Sequence, residues 1–378
     1  MGVKEGSKKY TAGGITFRRA GPDDDQQLRS LLRNNPMDSW VNISLEQEPS
    51  FFAGQGLMGP SVAVIAMEEC SQATVGMYTC SLLPVHYDGR AERIHYLGGL
   101  RVHPRYRVKL GILKNGFASL EPLIGSIGEN ILPFQLTSIA EENLRARRLL
   151  EARLKGMPVY TPVGELTCLA VSTRQGRAGE LLRQARPSDI PALVKFYNRQ
   201  AAAYQFAPVL SEEWLAGLSA TKGLAIEDFL LLEDGGDLHG CLAIWDQRPF
   251  KQTVSHGYRF PLNRMYRLYN LFARLNGRLC LPAPGQRLEQ VFLAFAAFSE
   301  QGLPAALEAI REALDEAACS KGAEAVVIGL SPLNPLFSIL TQVLPALTYT
   351  TCLETVVQPG QLTPILAGRL VQPEAALL

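Results

Sequence analysis

The sequence lacks an apolar run of the roughly 20 residues that a membrane-spanning helix needs, so no such helix is predicted. It also lacks any Cys-x-x-Cys pair, and its seven cysteines are scattered and odd in number. This pattern favours reduced thiols over a disulfide framework or a zinc site, and we expect a cytoplasmic protein. Residues 1–14 are polar and glycine-rich, unlike a signal peptide, and we predict a disordered tail there.

An excess of charge of either sign is missing as well. The chain has 37 lysines and arginines against 36 aspartates and glutamates, a net charge of +1. The surface as a whole therefore attracts neither nucleic acid nor an anionic membrane, and we expect neither as a partner. A hydrophobic content of 47% with 19% charged residues is typical of a globular protein, and 378 residues fit two domains.

Several catalytic motifs are absent. There is no Gly-x-x-x-x-Gly-Lys-Ser/Thr loop for nucleotides, no Gly-x-Ser-x-Gly nucleophile turn and no His-Glu-x-x-His zinc motif. The five histidines also lack the spacing of metal ligands. Nucleotide hydrolysis, serine hydrolysis and zinc chemistry are therefore disfavoured, and no metal site is predicted.

The segment Leu97–Lys114 has the pattern of a strand, a turn and a helix. The apolar strand ends at Pro104, a basic turn carries Arg107 and Lys109, and apolar residues resume at helical spacing from Leu110. The first N–H groups of a helix are unpaired, and its N-terminus is partly positive. The segment therefore predicts an anion-binding turn.

A second segment further along the chain predicts another strand followed by a helix. Phe134–Ala140 has the composition of a strand, and Asn143 is a favourable N-cap for the run of apolar and arginine residues after it.

Together the two segments resemble the GNAT acyltransferase superfamily. Val102–Ile112 is similar to its pyrophosphate loop, in which Val-x-Pro precedes Arg/Gln-x-x-Gly-x-Gly/Ala. Asn143 begins a stretch similar to the family's later motif, Asn-x-x-Ala-x-x-Leu-Tyr-Glu. The sequence departs from these patterns where Leu110 and Ile112 replace glycines and Leu150 replaces the tyrosine that often protonates the departing thiolate.

The resemblance implies transfer of an acyl group to a primary amine of a small molecule or peptide. We expect the donor to be acetyl-CoA. By the resemblance, N–H groups of the turn hold the pyrophosphate, the strand edge at Leu100 and Val102 pairs with the pantetheine amides, and Asn143 lies near the thiol. The implied cofactor-binding residues are Leu100, Arg101, Val102, Arg107, Val108, Lys109, Leu110, Gly111, Ile112, Asn143 and Arg147.

Two residues are candidates for proton transfer. An amine with a lysine-like pKa of ~10.4 must lose a proton before it attacks a thioester. His95 lies in the strand that the family turns towards the thioester, although a core histidine explains it as well. Tyr160 is the one tyrosine of the closing segment and a candidate acid. The missing glycines and tyrosine leave open a non-catalytic acyl-CoA-binding or regulatory protein.

An internal repeat divides the chain. The pattern from Arg18 to Asp24 recurs from Arg183 to Asp189 at a constant offset (183 − 18 = 165). Asn143 corresponds to Asn334 at a larger offset (334 − 143 = 191), so the second copy carries about 26 additional residues (191 − 165 = 26). We predict an α/β (α+β) fold of two tandem GNAT-like domains, each a twisted, mostly antiparallel mixed sheet flanked by helices.

The predicted domains differ in function. The first spans residues 15–175 and binds acyl-CoA, whereas the second spans 176–378 and contains the insertion near 255–287. In the second domain the turn Ser299–Pro304 has no lysine or arginine and carries Glu300, so we expect no CoA site there. A homodimer is a possible assembly.

The insertion contains a predicted basic amphipathic helix, Leu262–Asn276. It places Arg264, Arg267, Arg274 and Arg278 near one face and Met265, Leu268, Phe272 and Leu275 near the other. Such a helix can lie on a membrane or contact an acidic partner. We predict the ordinary arrangement instead, with the apolar face packed on its own domain and the arginines in water.

Overall fold

The computed structural model describes residues 9–37, 40–107, 110–125, 127–173, 179–218, 222–361, 364, 366 and 368–378. The predicted boundary between residues 175 and 176 lies outside the described residues, as do Val108, Lys109 and the first eight residues of the predicted tail. We call residues 9–173 the first half of the chain and residues 179–378 the second half.

Strands and helices alternate through both halves. The strands are β1 (Lys9–Ala12), β2 (Ile15–Arg19), β3 (Val41–Glu46), β4 (Ser61–Glu68), β5 (Thr74–Tyr87), β6 (Arg90–Val102), β7 (Gln135–Ala140), β8 (Val159–Ser172), β9 (Leu182–Gln184), β10 (Phe229–Asp234), β11 (Asp237–Trp245), β12 (Gln252–Tyr258), β13 (Gln290–Phe298), β14 (Ala325–Leu330) and β15 (Ala346–Val357). The helices are α1 (Asp25–Arg33), α2 (Leu110–Ala118), α3 (Leu120–Ile124), α4 (Leu144–Leu150), α5 (Ile190–Ala201), α6 (Glu212–Ala216), α7 (Leu262–Leu275), α8 (Ala306–Lys321) and α9 (Pro335–Val343).

Within the described residues, thirteen strands form one sheet in the order β1-β2-β4-β5-β6-β7-β15-β8-β14-β13-β11-β10-β9. Its neighbouring strands are antiparallel except for the pairs β6–β7 and β13–β14, which are parallel. Helices cover the sheet, so the predicted mixed, mostly antiparallel α/β class is confirmed.

The internal repeat is visible in the hydrogen bonds at the start of each half. Arg18 donates to both carboxylate oxygens of Asp24 at 2.6 and 2.7 Å. Arg183 donates to both oxygens of Asp189 at 2.7 and 3.2 Å. Each aspartate also accepts the backbone N–H three residues before it. The repeat predicted at an offset of 165 residues is therefore confirmed at these positions.

The two halves exchange strands at the centre of the sheet. β15, from the second half, lies between β7 and β8 of the first half and is antiparallel to both. β8, in turn, pairs with β14 of the second half. Neither half completes its own part of the sheet, so the tandem copies share one structural unit.

Apolar side chains pack on both faces of the first half. Leu28 and Leu31 of α1 pack with Ile65 on one face. On the other face, Leu123 of α3 packs with Val64, which neighbours Ile65 in β4 and points to the opposite side. In the second half, α5 and α6 cover one cluster, and α8 and α9 cover another. The sheet therefore has buried cores on both faces.

Two sequence predictions need correction. The disordered tail is wrong for Lys9–Ala12, because this segment is strand β1, paired antiparallel with β2. The inserted helix exists as α7, but its predicted packing is wrong, because its large apolar side chains face solvent. Met265, Leu268, Phe272 and Leu275 are all more than half exposed. β12, which precedes α7, pairs with β3 in a separate two-stranded sheet.

Two further features bear on the sequence predictions. No helix in the described part of the chain combines the length and hydropathy that crossing a bilayer requires. Gly54–Gly59 contains the pattern Gly-x-Gly-x-x-Gly, but it lies in the loop before β4 and begins no helix. It therefore lacks the strand-to-helix setting of a dinucleotide site.

Candidate functional site

The parallel strands β6 and β7 diverge partway along their length. They pair only where His95–Leu97 faces Gln135–Thr137. Beyond Leu97, β6 pairs with β5 alone and contains an irregular step at Gly99, whose φ is 62°. A residue with a side chain is strained at this φ, which explains the glycine. Because of this divergence, no described strand pairs with residues 98–102 on the side towards β7.

A cavity of about 1120 Å³ lies in this opening. Three groups of residues line it. The strand ends contribute Gly98, Gly99, Leu100, Arg101, Val102, Ser138, Ala140 and Asn143. The core of the first half contributes Phe17, Ala66, Tyr78, Ile112, Phe117, Leu120, Ile139, Leu150 and Tyr160. The space between the halves contributes Trp40, Gln247, Lys251, Thr253, Tyr266, Asn270, Arg274 and Tyr349. The cavity therefore combines a polar strand edge, an apolar interior and a polar region between the halves.

The structure brings some of the predicted site residues to this cavity and leaves others outside its described lining. The lining includes Leu100, Arg101, Val102, Ile112, Asn143 and Tyr160. His95, Arg107, Gly111 and Arg147 are not part of it. The turn begins α2 at Leu110 as predicted, but the side chain of Leu110 is outside the description.

Arg101 provides a cation at the strand edge. Its Nη1 donates to the carbonyl oxygen of Leu100 at 2.9 Å, whereas its buried Nε has no hydrogen-bond partner among the described residues. Burial lowers the pKa of Arg101, and the neighbouring Tyr349 counteracts this effect. Arg101 is also not paired with any carboxylate in the described part of the chain, so it suits an anionic or carbonyl group of a ligand.

The basic turn before α2 is held by its own side chains. Arg107 donates from Nη2 to Oδ1 of Asn35 at 2.8 Å and from Nε to the carbonyl oxygen of Val102 at 3.2 Å. Gly111, in the first turn of α2, faces open space, since a Cβ placed there would have no atom within 4 Å. A ligand therefore has access to the helix N-terminus, while the fold itself tolerates a side chain at Gly111.

The two ends of α4 are fixed by local contacts. Asn143 is its N-cap, as predicted, and accepts the Ala146 N–H at 3.2 Å. Its exposed side chain also borders the cavity. Arg147 instead donates to Glu151 one turn later, at 3.2 Å. Arg147 is therefore engaged within the helix rather than aimed at the cavity.

The two candidates for proton transfer lie in different surroundings. His95 is buried, and its Nε2 donates to the Ile127 carbonyl oxygen at 3.0 Å, away from the described cavity lining. Tyr160 does reach the cavity, where its ring meets Phe117 edge to face at 6.0 Å. Burial raises the pKa of Tyr160, which makes it a weaker acid. The geometry gives His95 a structural contact and places Tyr160 in the apolar interior.

Lys251 is a cavity residue that the sequence did not single out. Its Nζ donates to a backbone oxygen of Leu378 at 2.8 Å and lies 5.7 Å from the centre of the Phe292 ring. Burial lowers the pKa of Lys251 to about 8. Lys251 also interacts with Cys168, which is paired with Tyr349 across two strands. Tyr349 interacts electrostatically with Arg101, and Lys251, Cys168, Tyr349 and Arg101 all line the same cavity.

The corresponding opening in the second half is filled. β13 and β14 pair from Gln290 to Leu293 and then diverge, and Phe295 has a φ of 53°. The N–H of Phe295 donates to the Glu374 carboxylate at 2.8 Å. Ala375 occupies the gap so closely that a Cβ on Gly329 would meet it at 2.2 Å. The sequence predicted that this half has no CoA site from its charges, but did not indicate this plug.

Comparison with known proteins supports the fold. No model of a known protein family matches the sequence, and no curated protein matches it. Two structures of Saccharomyces cerevisiae N-myristoyltransferase with bound myristoyl-CoA match it at 11% identity. Their TM-scores are 0.60 and 0.59, over 96% and 94% of this chain and 84% and 87% of those chains. A GCN5-related N-acetyltransferase from Anabaena variabilis has a TM-score of 0.47 at 13% identity, over 90% of this chain and 72% of that one. The chain thus has the same overall fold as these N-myristoyltransferase structures.

Proposed function

We propose that the protein transfers an acyl group from acyl-CoA to a primary amine. The observation that carries this proposal is the cavity of about 1120 Å³, because it joins a strand edge without a strand partner to an apolar interior and to the space between the halves. A CoA thioester needs the strand edge and the apolar interior. The space between the halves leaves room for the amine of a small molecule or peptide. The N-myristoyltransferase structures that share this fold support the same class of reaction.

We place the CoA on the first half. Its pyrophosphate lies at the N-terminus of α2, where N–H groups are unpaired, and its pantetheine amides pair with the β6 edge at Leu100 and Val102. By the resemblance, the turn that ends at Ile112 would hold the pyrophosphate, and Asn143 would border the thiol end. The N–H groups beside Gly99 are close to where the thioester carbonyl would lie, so they would stabilise its developing negative charge.

We assign the acyl group to the apolar interior, and we infer that it is longer than acetyl. Phe117, Leu150 and Tyr160 belong to that interior, and leucine at 150 adds apolar surface where the superfamily often has tyrosine. Each buried methylene contributes about 0.8 kcal/mol. Acetyl, which the loop resemblance led us to expect, would use little of this space. The myristoyl-CoA bound by the yeast enzyme is consistent with a long chain.

We assign the general base to Lys251 rather than to His95. With a pKa of about 8, Lys251 is partly neutral near neutral pH and can take a proton from the attacking amine. The amine nitrogen then bonds to the thioester carbon, the carbon–sulfur bond breaks, and the CoA thiolate leaves with the electron pair. The nitrogen then loses its second proton to water, and the thiolate takes up a proton from water or from Tyr160, which water reprotonates.

A titration with acetyl-CoA, octanoyl-CoA and myristoyl-CoA tests the acyl assignment. We expect affinity to rise with chain length by roughly tenfold for every two methylenes that are buried. Gly116→Leu should remove this gain in affinity without weakening the binding of acetyl-CoA, because Gly116 lines the apolar interior beside Phe17. Gly116→Ala is the control, since its Cβ meets Phe17 at an ordinary 3.6 Å. Equal affinity for all three thioesters would restore acetyl as the acyl group.

The second candidate function is non-catalytic binding of acyl-CoA. Two observations favour it: Leu150 cannot protonate a thiolate, and Arg107 is held by Asn35. Incubation of the full chain with octanoyl-CoA and a mixture of peptides and polyamines separates the two. Mass spectrometry should find acylated amines together with free CoA. Tight binding with neither transfer nor hydrolysis would establish the non-catalytic role.

A further inference from the structure

The outer side of α7 exposes a row of large apolar side chains. Leu268 is 64% exposed and Leu275 80% exposed. Met265, Leu271 and Phe272 lie beside them and are each more than half exposed. Only Ala273 of this helix is fully buried, on the opposite side. A globular protein rarely leaves so much contiguous apolar surface in water, so this row requires a covering partner.

The segment around this helix is strongly basic, although the whole chain is close to neutral. From residue 247 to residue 288 the sequence contains no aspartate or glutamate. The same segment contains eight basic residues: Arg248, Lys251, Arg259, Arg264, Arg267, Arg274, Arg278 and Arg287. Two of these guanidinium groups lie over rings of the same region, Arg264 over Phe260 at 5.8 Å and Arg278 over Phe272 at 5.7 Å. Arg248 and Arg287 pair with Asp246 and Glu289 at the two ends of this segment. The cationic border of the apolar row therefore consists of Arg264, Arg267, Arg274 and Arg278.

Two more aromatic side chains extend this surface. Trp40 is 59% exposed and Phe260 69% exposed. They are brought together because the N–H of Arg259 donates to the carbonyl oxygen of Trp40 at 3.1 Å. We define the α7 face as Trp40, Phe260, Met265, Leu268, Leu271, Phe272 and Leu275 with Arg264, Arg267, Arg274 and Arg278. Trp40 and Arg274 also line the cavity, so the α7 face borders its opening.

We propose that the α7 face docks on the surface of an anionic lipid bilayer. Its apolar side chains would enter the boundary between headgroups and acyl chains, and its arginines would lie among the anionic headgroups. Exposed tryptophan and arginine beside an apolar row suit this boundary. At 14 residues and 1.5 Å per residue, α7 is about 21 Å long, shorter than the ~30 Å hydrocarbon layer. The helix therefore lies along the surface.

Charge favours a bilayer over a second copy of the chain. A twofold contact through the α7 face would bring the same arginines against each other, with no carboxylate between residues 247 and 288 to separate them. An anionic bilayer supplies both the apolar layer and the opposite charge. The expectation that no membrane is a partner depended on the net charge of +1 of the whole chain and on an inward-facing apolar side of this helix. The arginines here are a local cluster, and that packing is wrong. The proposal does not depend on acyl transfer.

Flotation of the full chain with vesicles tests this docking. Vesicles of phosphatidylcholine alone are compared with vesicles in which one third of the lipid is phosphatidylglycerol, at low and high salt. We expect binding only to the anionic vesicles, with loss at high salt. Trp40 provides a second readout, because Trp214 and Trp245 already donate to carbonyl oxygens inside the protein. A blue shift of tryptophan fluorescence should accompany binding.

Substitutions with matched controls locate the surface. Arg264→Gln with Arg267→Gln should weaken binding about fivefold per arginine. Leu268→Ser with Leu275→Ser should abolish the blue shift. Leu333→Ser is the apolar control, because Leu333 is 81% exposed and lies outside the α7 face. Arg311→Gln on α8 controls for net charge and should bind nearly as well as the unsubstituted chain.

Three outcomes would overturn the proposal. The first is no binding to anionic vesicles at low salt, and the second is binding that the α7 substitutions leave unchanged. The third is self-association of the free protein that Leu268→Ser and Leu275→Ser abolish, since a second copy would then cover the face. Binding to anionic vesicles that is lost only in the α7 variants establishes docking through this surface.

Discussion

Two charged side chains lie near the centre of the molecule without a salt bridge to another side chain among the described residues. Lys251 lines the cavity, and Glu354 is fully buried in β15 between Thr137 of β7 and Pro162 of β8. Neither carboxylate oxygen of Glu354 has a hydrogen-bond partner in the described structure. Such groups cost stability in their charged forms, which makes their titration measurable.

Glu354 should make the protein less stable as the pH rises. Burial raises the pKa of Glu354 from 4.5 to about 7, with Glu151 adding to the effect. Between these values the folded state binds more protons than the unfolded state, so the free energy of unfolding falls with pH. Glu354→Gln should remove this loss of stability. Relative to the unsubstituted chain, it should raise the free energy of unfolding by about 3 kcal/mol more at pH 8 than at pH 4.5.

Urea unfolding at the two pH values measures the effect of Glu354→Gln. Glu165→Gln on the neighbouring strand β8 is the control, because Glu165 is exposed to water. An equal change in the free energy of unfolding at both pH values would show that Glu354 is not held neutral in the folded protein.

Lys251 predicts a dependence of the reaction rate on pH. Because its pKa is lowered to about 8, the neutral form gains as the pH rises through that value. Hydrolysis of octanoyl-CoA without acceptor provides the readout, since water does not titrate in this range. The rate should rise through about pH 8, and Lys251→Arg should lower it 10²-fold or more and flatten its pH profile. A rise that persists in Lys251→Arg would assign the base elsewhere.

Some contacts of individual residues were predictable from sequence, and others were not. The pairs Arg18–Asp24 and Arg183–Asp189 are six residues apart and depend on one local turn, so the repeated sequence predicts them. The surroundings of Lys251 and Glu354 depend on segments far along the chain. Local sequence does not determine such neighbours, so it did not single out Lys251 or Glu354.

At the scale of elements, the sequence predicted strands better than their partners. A strand was expected over Phe134–Ala140, and β7 occurs there. The insertion of β15 between β7 and β8 was not expected. Either half could have closed its own sheet with a strand of the same composition, and alternation of apolar residues does not distinguish the two pairings.

For α7, too, the sequence predicted the element but not its packing. Periodicity predicted a helix over Leu262–Asn276, and the structure has one over Leu262–Leu275. Periodicity also separates an apolar from a basic side, but does not say which side meets the protein. Tyr266 and Ala273 face inwards here, so the leucine row is left outside. The wrong prediction of its packing followed from assuming that apolar residues are always covered by their own domain.

At the scale of the whole molecule, the exchange of β8 and β15 makes one sheet out of two sequence repeats. Two openings result, one where β6 diverges from β7 and one where β13 diverges from β14. The first is continuous with the large cavity, whereas Glu374 and Ala375 fill the second. The duplicated fold therefore leaves one opening for a cofactor and uses the other for internal packing.

Titration of the full chain with acyl-CoA should therefore give one molecule bound per chain. The turn Ser299–Pro304 adds a second reason, because it has no basic residue to attract a diphosphate. Gly111→Val should weaken this single site tenfold or more, since its side chain would enter the space beside the α2 N-terminus, which the fold leaves open. Calorimetry on both proteins makes the measurement. A stoichiometry near two, or a site of full affinity that remains in Gly111→Val, would show that the second half binds CoA despite its plug.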